Sequence, residues 1–117
     1  MPEFTIEAPF GASAAAKQKM FKEITDALDE AYHICDVRGW LREYPKDNIS
    51  QNGRVGAEPV RPVCLVDAPE LASLDARQKL VLKIDAAIAD AYRGMANTSE
   101  IVVLVRQYPR DSNWTPC

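Results

Sequence analysis

From Ala14 to about His33, the apolar residues Met20, Phe21, Ile24, Ala27, Leu28 and Ala31 recur at helical spacing, so the segment predicts an amphipathic helix. Ser13 precedes it as an N-cap. Leu80, Val81, Ile84, Ala87, Ile88 and Ala91 repeat the pattern at the same phases, with Asp75 near the start and Gly94 near the end. Each helix carries one apolar stripe, which suits two helices lying on one face of a sheet. Residues 3–8 form a short β-rich run ended by Pro9, Gly11 and Ser13, and residues 37–44 and 101–108 read as further strands. In the 37–44 strand, alternation turns Val37 and Leu41 toward the helices and leaves Arg38, Trp40, Arg42 and Tyr44 on the opposite face. A sheet face with two arginines and two aromatics is an oligomer interface, a binding surface, or both.

The pattern is a repeat at the level of residues. Pro2 to Pro9 matches Pro62 to Pro69 at an offset of 60, and the register holds through Lys17-Gln18-Lys19 on Arg77-Gln78-Lys79 and Ala31-Tyr32 on Ala91-Tyr92. It resumes four positions later, with Leu41 to Asp47 on Val105 to Asp111. The chain therefore reads as one domain, 1–117, built from two βαβ pseudo-repeats, 2–53 and 62–117, joined by a connection at 54–61. Asn52-Gly53 is a hairpin-type dipeptide. Since one βαβ unit covers only one side of its sheet, the expected architecture is α/β: a four-stranded mixed sheet with both helices on one face. Further copies of the chain would bury the exposed Trp/Tyr face in a homotrimer.

Bulk properties narrow the function classes. A net charge of −3 with dispersed Lys and Arg argues against a nucleic-acid surface. No apolar run approaches the roughly 20 residues of a membrane span, and no signal-peptide pattern opens the chain, so a cytoplasmic setting is expected. Cys35, Cys64 and Cys117 are odd in number and far apart, which reads as reduced thiols. His33 is the sole histidine and no nucleotide or serine-hydrolase motif is present, so neither a metal nor a cofactor is expected.

An N-terminal proline, exposed by removal of the initiator methionine, is chemically special because its nitrogen is a free secondary amine. Only Pro2 can carry one; the nitrogen of Pro62 is an amide. A βαβ unit of this size beginning with proline resembles the tautomerase superfamily. The stretch Asp36-Val37-Arg38-Gly39-Trp40-Leu41-Arg42-Glu43, continuing to Asn52-Gly53, is similar to the second strand and hairpin of 4-oxalocrotonate tautomerase. The fused two-copy layout resembles malonate semialdehyde decarboxylase and cis-3-chloroacrylic acid dehalogenase. The resemblance implies Pro2 and Arg38 as catalytic residues, with Arg42, Arg106, Trp40, Tyr44 and Trp114 as substrate-binding candidates. Asn113-Trp114 is similar to the Asp-Trp of the decarboxylase, and Ile49 falls where the tautomerase has an aromatic wall. An α-amine of ordinary pKa near 8 is a poor base at neutral pH, but an apolar pocket and a neighbouring cation bring it into range.

The expected activity is a cofactor-free isomerase of a small 2-oxo or unsaturated carboxylic acid, with Pro2 as general base. The arginine pair that follows the third strand in the decarboxylase and the dehalogenase is missing, because residues 68–76 carry none. Hydration, dehalogenation or decarboxylation of a three-carbon acid is therefore the alternative on the same fold. A catalytically silent trimeric binding protein is the alternative from another class.

Overall fold

The computed structural model describes residues 2–34, 36–56, 59–70 and 72–109. The first unit comprises β1 (Glu3–Pro9), α1 (Ala14–Tyr32) and β2 (Arg38–Tyr44), and the second comprises β5 (Val63–Pro69), α2 (Leu74–Ala91) and β6 (Val102–Tyr108). Between them, β3 (Ser50–Gln51) and β4 (Arg54–Val55) form a small hairpin after a single 3₁₀ turn at Lys46–Asn48. Asn52 and Gly53 both take positive φ (54° and 80°), the conformation a two-residue hairpin loop needs to match strand twist. Arg54 and Val55, which the sequence places at the start of the connection, thus pair with Gln51 and Ser50.

Both helices begin on a serine whose side chain accepts the N–H three residues on: Ser13 from Ala16 and Ser73 from Ala76, each at 3.1 Å. Helix α1 ends at His33, which turns left-handed (φ 53°) and donates its N–H to the Asp29 carbonyl at 2.8 Å.

The main sheet runs β2-β1-β5-β6. Each unit contributes a parallel pair, and β1 meets β5 antiparallel with Thr5 opposite Leu65. Thr5 and Leu65 are also repeat equivalents, so the pseudo-twofold axis passes between them. It exchanges Glu7 with Asp67, Arg42 with Arg106, Tyr44 with Tyr108, and Arg38 with Val102.

Alternate residues of the central strands (Phe4, Ile6 and Ala8; Cys64, Val66 and Ala68) are buried against Met20, Ile24 and Leu28 of α1 and Leu80, Ile84 and Ile88 of α2. Each large side chain so buried contributes about 1.5–3 kcal/mol. Volume is distributed unevenly between the copies. Gly39 sits beside the Phe4 ring, and a Cβ there would fall 2.3 Å from Phe4 Cζ, so only glycine fits. At the equivalent positions of the second unit, Cys64 is small and Val103 fills the space. Burial pushes the Cys64 thiol up to about 12, in keeping with a packing residue. Among the described residues, no helix is long and apolar enough to cross a membrane.

Candidate active site

The face of the sheet away from the helices is organised in rows set by strand register. At one end, Arg38, Glu3, Asp67 and Arg106 lie abreast across the four strands. In the middle row stand Trp40, Thr5, Leu65 and Leu104, of which Trp40 is 55% and Leu104 52% exposed. The third row holds Arg42, Glu7, Val63 and Val102.

Pro2 lies at the first of these ends. It is buried, and its carbonyl accepts the N–H of Arg38 at 3.1 Å. The Arg38 side chain is exposed and reaches Asp36 only at 3.7 Å. Arg106 is engaged more firmly, through Nε and Nη2 to the two Asp67 carboxylate oxygens at 3.0 Å each. That fork-to-fork geometry neutralises it. Tyr108 closes the same end; its hydroxyl is held above the usual phenol range by burial first, then by the carboxylates of Glu3 and Asp67. It stays protonated at neutral pH and has a proton to donate.

Of the residues singled out in the sequence, Pro2, Arg38 and Arg106 share one end of a protomer, and Trp40 stands one row in. Arg42 and Tyr44 belong to the other end, where both reach Glu7 Oε1, Arg42 at 3.4 Å and Tyr44 at 3.2 Å. Arg42 lies four residues and Tyr44 six residues of register from Arg38, about 13 and 20 Å along the strand. Trp114 lies outside the described residues. Sequence reasoning did not assign Glu3, Asp67 or Tyr108 to this end. The repeat offset pairs Tyr108 with Tyr44, but only the antiparallel meeting of β1 and β5 shows which tyrosine shares an end with Pro2. A cavity of about 550 Å³ opens at the far end, beside Val63 and under the β3–β4 hairpin.

Solved structures with this arrangement are consistent in kind. A fused 4-OT, a wild-type symmetric trimer, superposes with TM-score 0.78 at 21% identity, covering 97% of this chain and 94% of the other. Pt0534, inactivated by 2-oxo-3-pentynoate, gives 0.78 at 23% identity over 94% and 88% of the two chains. Malonate semialdehyde decarboxylase gives 0.69 at 12% identity over 96% and 88%. The chain has the tautomerase fold. No family model and no curated protein matches the sequence. The tautomerase fold of this chain thus carries a duplicated scaffold whose two ends differ in side-chain chemistry, Arg38 at one and Val102 at the other.

Proposed function

We propose that the protein is a cofactor-free isomerase that interconverts the keto and enol forms of a small 2-oxo or unsaturated carboxylic acid, moving a proton between the carbon next to the ketone and the enol oxygen. The carrying observation is the backbone hydrogen bond between Pro2 and Arg38. It fixes the one residue able to present a secondary amine next to an arginine whose carboxylate contact is long. With Met1 removed, Pro2 serves as the base, its burial disfavouring the protonated amine. Arg38 binds the substrate carboxylate and stabilises the charge that develops on the enolate. Pro2 then returns the proton at the new position, and the ring fixes the direction of its nitrogen throughout.

The sheet face supports assembly as a homotrimer. Trp40 and Leu104 are half-exposed apolar side chains flanked by charged rows, a face that a second copy would cover. The fused 4-OT with the same fold is a symmetric trimer. Malonate semialdehyde decarboxylase has been solved as a mutant in which its own first residue, a proline, is alanine.

The test is ketonisation of phenylenolpyruvate, followed by ultraviolet absorbance, with protein whose intact mass shows Met1 removed. Turnover well above the buffer rate supports the reading. No turnover of this or any other 2-oxo acid, with the N-terminus free, would leave a silent binding protein.

A further inference from the structure

The cavity at the Pro62 end has the size of a ligand site, about 550 Å³, and lies on the opposite end of the sheet from Pro2. Its apolar lining comes from Ile49 and Val60 around the hairpin and from Val63 and Val102 on the central and edge strands. Arg54 and Arg61 bring two cations to the same wall. Arg61 gives Nε to Glu100 at 2.9 Å, and a guanidinium has four further N–H donors. One carboxylate also lines the cavity, Glu7, but its Oε1 already accepts from Tyr44 and lies within reach of Arg42. The lining thus combines an apolar wall with polar side chains of the hairpin (Asn48, Ser50 and Gln51) and two guanidinium groups.

The same end lacks the means for proton transfer. Val102 donates its N–H to the Pro62 carbonyl at 3.1 Å, just as Arg38 does to Pro2, so the backbone frame is duplicated. The nitrogen of Pro62 is an amide and has no basic lone pair. Val102 stands where Arg38 stands in the first copy. No lysine, histidine or cysteine lines the cavity among the described residues.

We infer that this cavity is a second, non-catalytic binding site for a small carboxylate with an aromatic or branched apolar body, its carboxylate on Arg54 and Arg61 and its body against Ile49, Val60, Val63 and Val102. The inference stands independently of chemistry at Pro2.

Benzoate titrated into methyl-labelled full-length protein, followed by NMR, tests it. The methyls of Ile49, Val60, Val63 and Val102 should shift saturably, with the same Kd in Pro2→Ala. Arg61→Gln combined with Arg54→Gln should weaken binding about ten-fold or more, and neutral benzyl alcohol should bind more weakly than benzoate by a similar factor. Glu100→Gln removes the Arg61 partner without removing the cation, and should keep or tighten binding. Ile49→Trp, which occludes the cavity from a surface turn, should abolish the shifts with the rest of the spectrum unchanged. The proposal is overturned if no saturable shift occurs, if the shifts fall on residues around Pro2 and Arg38 instead, or if the arginine variants or benzyl alcohol bind as tightly as the parent pair.

Discussion

Arg42 with Glu7 at one end of the sheet and Arg106 with Asp67 at the other are the same ion pair built twice across a pseudo-twofold axis. Arg38 and Val102 occupy equivalent positions, yet one is a cation and the other an aliphatic side chain. Below the sheet the contrast recurs. Tyr92 donates to Glu43, which also pairs with Lys17 at 2.7 Å, whereas the equivalent Tyr32 donates to the neutral Gln107, and the equivalent Arg77 has a buried Nε without a hydrogen-bond partner. Duplication has thus kept backbone frame, core positions and capping serines alike while charge has diverged. Features shared by both ends belong to the scaffold, and features of one end are where function is to be sought.

The largest expected difference between the ends is catalytic. Pro2→Ala should lower phenylenolpyruvate turnover by about 10² to 10⁴, the range for loss of a general base, while Pro62→Ala leaves kcat unchanged. Equal losses would make proline a structural requirement of both strands. Next comes packing. Phe4→Ala should cost about 3–5 kcal/mol in urea unfolding, because the ring fills the space above Gly39, and Cys64→Ala much less. Similar costs would mean that the two halves of the core are packed alike. Arg38→Gln should then raise KM about ten- to hundred-fold, with Val102→Ala nearly silent.

A smaller contrast appears at high pH. Burial raises the Tyr92 hydroxyl well above its ordinary value, with a further contribution from the Glu43 carboxylate; Tyr32 is raised by burial alone, against Arg77. Above pH about 10 the unfolded chain releases these protons while the native state still holds them. The native state then binds more protons, so stability is complete below that pH and falls as pH rises. Tyr92→Phe should flatten the alkaline decline more than Tyr32→Phe; the reverse order would contradict the role given to Glu43. The smallest effect expected is a gain of about 1 kcal/mol in Gln107→Glu, which gives Arg77 the carboxylate that Lys17 already has. Thermal unfolding of that variant checks it.

Much of this architecture was legible in the chain. Two helices at matching phases, the offset of 60 and the Asn52-Gly53 turn were enough for a mixed sheet with both helices on one side. What the pattern could not say is how far apart the candidate residues lie. Arg38 and Tyr44 alternate onto the same face, yet strand register puts them at opposite ends, and Tyr108 comes to the Pro2 end only because β1 and β5 run antiparallel. Nor does periodicity report that Gly39 is needed by Phe4, since that contact depends on which strands are neighbours. The ion pairs of Arg42 and Arg106 are likewise tertiary facts, and they leave Arg38 as the arginine of that face with the longest carboxylate contact.

The central claim is that the first copy alone presents a reactive amine, and covalent labelling tests it most directly. Pt0534 is inactivated by 2-oxo-3-pentynoate, an electrophile whose carbon–carbon triple bond an amine can add to. Incubated with this protein at neutral pH and mapped by peptide mass spectrometry, it is predicted to add once, on the Pro2 nitrogen, with Arg38→Gln slowing the reaction. An adduct elsewhere in the chain, or none on protein that has lost Met1, would contradict the account.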